Sequence, residues 1–198
     1  MNMDVMYKIS YGLFVLTAKE GDKHNGCIIN TLQQVTTTPN KVSITVNKEN
    51  YTHDMIMRTG EFNACIISEK ADFDMFKHFG FQSGRDVNKF ADYPMGIADN
   101  GLAYLLNGVN GYVSGKVISS VDLGTHTMFI AEVVGGEVLN EDPSATYDYY
   151  HKNIKAAPEE KAAGWVCKIC GYVYEGDPLP EDFVCPWCKH GASDFERK

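Results

Sequence analysis

The feature that most restricts what this chain can become is a pair of C-x-x-C motifs near its C-terminal end. They read Trp165-Val-Cys167-Lys-Ile-Cys170-Gly171-Tyr172 and Phe183-Val-Cys185-Pro186-Trp187-Cys188. Each motif can form a tight knuckle that aims two thiolates at one point. Two knuckles together bring four sulfurs into a tetrahedral array that suits zinc or iron. The candidate metal ligands are therefore Cys167, Cys170, Cys185 and Cys188. A segment this short has too little apolar core to fold alone, so metal binding would supply most of its stability. Spacing by itself also fits a zinc ribbon. The other two cysteines, Cys27 and Cys65, each stand among apolar residues and are read as small core residues rather than redox partners.

The surroundings of the four thiols lean toward iron. Trp165, Tyr172, Tyr174, Phe183 and Trp187 make a dense aromatic shell, and an apolar shell tunes an iron site's potential and limits water access. Cys-x-x-Cys-Gly-Tyr, a short acidic loop, Cys-Pro-x-Cys and a closing Asp194-Phe195 resemble rubredoxin, a one-electron Fe(Cys)4 carrier. The resemblance implies a rubredoxin-like domain over 165–198 with a shortened loop, Val173–Asp182. A structural zinc knuckle is the alternative.

Composition bounds the rest. The chain has 198 residues, 44% hydrophobic and 22% charged, enough for one sizeable core plus a small appendage. A formal net charge of −8 argues against nucleic acid or an anionic membrane as partner. No run approaches transmembrane length, and Met1-Asn-Met-Asp-Val-Met is not a signal peptide. Reduced thiolates held for a metal imply a cytoplasmic location.

Along the chain, Tyr7–Ala18 is rich in β-branched and aromatic residues and reads as a strand, followed by strands near Gly26–Asn30 and Val42–Asn47. Between the last two lies Asn30-Thr-Leu-Gln-Gln-Val-Thr-Thr-Thr-Pro39, polar but almost uncharged. It is either an edge strand or polar loop, or a loop contacting an uncharged ring system and its phosphate. Thr52 is a plausible N-cap for a short helix, and a helix start offers free N–H groups to an anion. Glu61–Ser68 reads as a strand, and Ala71–Phe79 as a helix with Phe73, Phe76 and Phe79 on one face. Strands at Leu102–Leu106, Gly111–Val121 and Thr125–Val134 follow, with Gly135-Gly136 as a turn or bulge. The expected fold is mainly β, an antiparallel β-barrel with short helices over 1–155, joined by a spacer at 156–164 to the metal domain. No G-x-G-x-x-G or Walker sequence occurs.

Four stretches in order resemble the flavin reductase-like, FMN-binding split-barrel family: Asn25–Pro39, Asn47–His53, Phe81–Phe90 and Asp122–Val133. With the rubredoxin-like segment behind it, the whole is similar to the high-molecular-weight rubredoxin type of fusion. The family's usual Gly-Asp-His is here Asp122-Leu-Gly-Thr-His126. The resemblance implies FMN, with Asn30, Thr31, Gln33, Val35, Thr36 and Thr37 along the isoalloxazine edge and ribityl chain. Asn47, Lys48, Tyr51, Thr52 and His53 would hold the phosphate, and Ser83, Arg85 and Lys89 would lie over the flavin or help its phosphate. His126 either stands near the ring face where nicotinamide docks or is a satisfied histidine at a strand start. A homodimer is implied as well. NADH or NADPH would deliver a hydride, the flavin would divide it into single electrons, and one iron ion would pass them to an acceptor. A flavodiiron protein reducing oxygen or nitric oxide, or a rubrerythrin-like protein, is the expected acceptor. A carrier reduced by a separate reductase and a zinc-ribbon binding module are the other two readings.

Overall fold

Apolar density decides where the sheet begins. In β1 (Phe14–Glu20) the alternating residues are buried on both faces: Phe14, Leu16 and Ala18 enter one core, Val15 the other. The structure, a computed structural model, describes residues 3–155, 164–187 and 190–197. The spacer expected at 156–164 therefore lies outside the described residues except for Gly164, and so does Cys188. The strand expected from Tyr7 starts only at Phe14, because Met3–Lys8 forms a 3-10 helix and Gly12 bridges instead to Thr146.

A two-residue turn at Gly21-Asp22 returns β1 into β2 (Lys23–Ile29), with Glu20 opposite Lys23. Gly21 takes a φ of +58°, which favours glycine in such a hairpin. β3 (Gln33–Thr37), β4 (Asn40–Asn47), β5 (Glu61–Ile67), β8 (Val109–Asp122) and β9 (His126–Val138) complete one antiparallel sheet of seven strands, ordered β2-β1-β5-β8-β9-β4-β3. Its end strands β2 and β3 do not pair with each other in that order, so the barrel is split rather than closed. β6 (Met95–Ile97) and β7 (Ala103–Leu105) form a separate ribbon. The architecture is mainly β, as expected. The Gly135-Gly136 pair falls within β9 opposite Ser114 and Val113, next to a bulge at Val134, which the register between Ser114 and Gly115 leaves unpaired.

Two cores result. One, inside the barrel, gathers Leu16, Ile44, Val46, Met55, Ile56, Phe62 and Phe129. The other lies on the outer face of β1 and β5 and joins Val15, Cys65 and Ile67 to Met75, Phe76, Phe79, Leu105 and Tyr150. Helix α1 (Tyr51–Thr59) closes the first, ending at Gly60 in the left-handed region with its N–H on the Ile56 carbonyl. Helix α2 (Phe73–Gly80) covers the second, capped by Asp72, whose side chain accepts from Met75 N at 2.9 Å. A last turn, α3 (Tyr147–Tyr149), runs into a π-helical turn at Tyr150–Ile154; Tyr150 is buried with its ring 4.4 Å from Phe76. Cys27 and Cys65 are buried thiols, and burial raises both pKa values, that of Cys65 to about 12. They are core residues.

The C-terminal segment forms a small sheet of β10 (Trp165–Cys167), β11 (Val173–Tyr174) and β12 (Phe195–Arg197), ordered β11-β10-β12. Its core is the cysteines themselves with Phe195, ringed by Trp165, Tyr172, Tyr174 and Phe183. Among the described residues, no helix is long and apolar enough to cross a membrane.

Candidate functional site

The metal centre is built by the two knuckles. Gly171 N donates to Cys167 O at 2.8 Å, and Gly171 takes a φ of +83°, so the first knuckle closes where only glycine is comfortable. Cys185 N donates to His190 O at 2.8 Å. The sulfurs of Cys167, Cys170 and Cys185 are buried and lie within 4.8 Å of one another, with Cys170 and Cys185 3.4 Å apart. Tetrahedral bonds of about 2.3 Å to sulfur place neighbouring sulfurs roughly 3.8 Å apart. These three thiols therefore fit a tetrathiolate centre, and sequence supplies Cys188 as the fourth.

A second site lies on the barrel, a cleft of about 750 Å3. β2 gives its floor through Asn25, Cys27 and Ile29. The start of α1 gives one side through Asn50, Tyr51 and Thr52, and the loop after α2 gives the other through Ser83, Gly84, Arg85 and Lys89. Asn30, Asn47 and His126 also border it. The N-cap of α1 is Asn50, not Thr52, and its side chain makes no capping bond. First-turn N–H groups of a helix have no intrahelical partner and favour an anion. Thr52 is instead fully buried as the second residue of α1, accepting from Asn25 Nδ2 at 2.9 Å.

Charge along the cleft is mixed, with Glu49 and Asp86 beside Arg85 and Lys89, and the cations are held in place. Arg85 bonds Asp54 at 2.8 Å and lies 5.0 Å from the Tyr51 ring; Lys23 bonds Gly84 O at 2.7 Å and lies 4.7 Å from the same ring. Lys89 is almost fully buried, donating to Gly26 O and Phe79 O, both at 2.9 Å; burial holds its pKa down at about 8. The Asn25 carboxamide is pinned under Gly84, where an added Cβ would overlap it, and its Oδ1 is one of two buried side-chain polar atoms without a partner among the described residues. An orphaned buried acceptor in the floor, a helix start at the side and this volume together fit a large polar ligand carrying an anion.

Of the other residues implicated by sequence, all but His126 lie outside the cleft. Gln33, Val35, Thr36 and Thr37 are exposed on the edge strand β3, which is the plainer of the two readings of that segment. Thr31 Oγ1 donates to Thr45 O at 2.6 Å. Lys48 pairs with Asp122 at 2.7 Å, and this contact holds the Asp122 carboxyl below its usual range. His53 is buried, with its ring nitrogens 2.8 Å from Thr127 Oγ1 and 3.2 Å from Asp54 Oδ1. His126 borders the cleft, and its Nδ1 is 2.9 Å from Thr125 Oγ1. Asn25 was not among the residues implicated by sequence; it follows Lys23 and His24 in β2 and nothing local marks it.

The remaining wall of the cleft comes from the metal domain. Ile169, Cys170, Pro186, Trp187 and His190 line it, so one metal-binding cysteine and the cleft share a boundary.

Comparison with known proteins identifies a family for each of the two domains. The family model described as flavin reductase like domain matches residues 6–158, and that described as rubrerythrin, rubredoxin-like domain matches 165–196. The chain is 33% identical to the high molecular weight rubredoxin of Moorella thermoacetica over a 228-residue alignment spanning all of both chains. It is 31% identical over 151 residues to the ferric-chelate reductase (NAD(P)H) of Archaeoglobus fulgidus, across 76% of this chain and 89% of that one. Among solved structures, flavoredoxin from Methanosarcina acetivorans superposes with a TM-score of 0.62 at 18% identity, covering 70% of this chain and 73% of the other.

Proposed function

The chain belongs to the flavin reductase-like domain family, with a rubredoxin-like domain in series, and on that premise we propose that it is an NAD(P)H-dependent oxidoreductase passing single electrons from FMN through an Fe(Cys)4 centre to an outside acceptor. The observation that carries the reading is the shared boundary: Cys170 is both a metal ligand candidate and part of the wall of the anion-friendly cleft.

Bound in that cleft, a flavin supplies the one conversion that no side chain offers, from a hydride to single electrons. The residues do the rest. The α1 start and Arg85 hold the phosphate, with Ser83 beside them. Asn25 Oδ1, otherwise orphaned, accepts from the ring system or ribityl chain. Asp54 and Tyr51 hold Arg85 in place, which limits the entropy lost on binding. His126 stands at the border where a nicotinamide would enter. Thr31, Gln33, Val35, Thr36, Thr37, Lys48 and His53 act outside this cleft in a single chain. Val35 on β3, Ile118 and Val121 on β8 and Val134 and Val138 on β9 are exposed apolar residues, which supports a homodimer formed over that face. A flavodiiron or rubrerythrin-like protein is the acceptor class we favour.

Anaerobic stopped-flow mixing with NADH and with NADPH tests the reading. The flavin absorbance should bleach first, and the thiolate-to-ferric bands should fade afterwards. Absence of bleaching with either nucleotide would overturn the proposed donor and leave a carrier served by another reductase.

A further inference from the structure

Among the described residues, two contacts between the metal domain and the barrel come from well-anchored positions. Lys155 ends the π-helical turn fixed in the core by Tyr150, and its own N–H bonds Tyr150 O at 2.7 Å. Its Nζ donates to Lys168 O at 2.9 Å and to Ile169 O at 2.7 Å. Those are the carbonyls between Cys167 and Cys170, the crown of the first knuckle. On the other side, Phe81, the residue just after α2, stacks on Trp187 of the second knuckle with centroids 5.4 Å apart and rings 11° from parallel. Phe73 supports Phe81 edge-on at 5.8 Å, and Tyr172 supports Trp187 at 5.3 Å. One contact thus grips each knuckle.

We infer that Lys155, acting with the Phe81–Trp187 stack, is a positioning residue that docks the metal centre against the cleft of its own chain, so that the electron hand-off runs inside one chain. The inference rests on the proposed reading of the two sites. Lys155 acts through the knuckle backbone, to whose carbonyls it donates. Two points of contact on two knuckles fix orientation, where one would leave a free swivel. The Lys155 ammonium also sets a positive charge beside the thiolates. Reduction of a ferric tetrathiolate adds one negative charge, and a nearby cation favours that state.

The electron count closes. One hydride brings two electrons, and the flavin takes up one proton from solvent with it. A ferric ion held by the four cysteines would accept the first electron; once an outside one-electron acceptor had taken it, the second would follow, and two protons would return to solvent.

The test uses the full-length holoprotein with Lys155→Met and Lys155→Arg. The flavin is reduced by light with a sacrificial amine donor, so the readout does not depend on NAD(P)H. In the wild type, metal reduction should be first-order with a rate independent of protein concentration. Lys155→Met should slow it about tenfold or more, the change expected from losing a charge-assisted hydrogen bond, and Lys155→Arg should restore most of it. The midpoint potential of the metal should fall in the Met variant and recover in the Arg variant. Small-angle scattering on zinc-loaded protein, where no electron moves, should show the Met variant expanded. A rate proportional to protein concentration in the wild type would overturn the inference, as would a Met variant unchanged in rate and scattering. Either result leaves the NAD(P)H test of the overall function standing.

Discussion

Replacing Lys89 by methionine should convert a pH-dependent stability into a flatter one, by an amount the structure sets. The Lys89 ammonium is 3% exposed and bonded to two carbonyls, Gly26 O on β2 and Phe79 O at the end of α2. Burial brings its pKa to about 8, against roughly 10.4 for a free lysine. Because the folded value is the lower one, the unfolded chain binds more protons between those two pH values. Stability contributed by this group therefore rises with pH across that window, and the ionised group costs most below about pH 8. Integrated from pH 7 to 10, the linkage is worth about 2.5 kcal/mol. Cys65 and Tyr93 work the other way. Burial pushes both up to about 12, so stability falls as pH rises through the range where the unfolded chain loses those protons. The informative quantity is therefore the difference between wild type and Lys89→Met, in which these groups cancel. Urea unfolding of the barrel at pH 7, 8, 9 and 10 should show that difference growing in favour of the wild type by about 2.5 kcal/mol. A difference that stays flat within about 1 kcal/mol would mean that the ammonium is solvated and free to reach a ligand, and the reading of Lys89 as a staple between β2 and α2 would be wrong.

Two further outcomes follow from the geometry. Cys185→Ser removes a buried member of the sulfur cluster, so metal analysis should find most of the iron gone. Circular dichroism should then show the C-terminal sheet unfolded while the barrel transition stays in place. Arg85 borders the cleft whereas Lys48 is engaged with Asp122. Arg85→Ala should therefore weaken FMN by about 1.5–3 kcal/mol, the range for a hydrogen bond to a charged group, and Lys48→Ala by less than about 1 kcal/mol. Equal losses in the two variants by fluorescence titration would sink that division of roles.

The fold was legible wherever one period ruled a segment. Val42–Asn47 alternates and forms most of β4, and Phe76 and Phe79 share a buried helical face as their spacing predicts. The miss at Tyr7–Leu13 has a tertiary cause. Those residues have strand composition, but Gly12 is drawn across to Thr146 and Tyr147 N to Tyr11 O, a pairing with residues far along the chain that no local pattern encodes. The site shows the same split. Knuckle spacing reads directly, because the ligands are local in sequence. The cleft does not, because its walls come from β2, α1, the loop after α2 and the metal domain. Lys48 illustrates the limit: its partner Asp122 lies on β8, and only the β4–β9 pairing brings the loop after β9's neighbour within reach.

The docked arrangement sets a condition on turnover. The resemblance to rubredoxin implies an exit for electrons at the two knuckles, near Ile169–Gly171 and Trp187. The structure turns Ile169, Cys170, Pro186 and Trp187 toward the cleft. Under the proposed function, an acceptor approaching the same edge would compete with the barrel for it, so loading and delivery would alternate rather than coincide. The clasp must then be strong enough to load and weak enough to release. Its parts meet both demands: one ammonium on two carbonyls and one ring stack amount to about 2–4 kcal/mol. A gap of a few kcal/mol leaves the minor state about 0.1–10% populated, so the released form is always present for an acceptor to capture. A larger apolar interface would hold the metal domain more firmly and starve the acceptor. A clasp of this strength is what a carrier that loads and releases in turn would require.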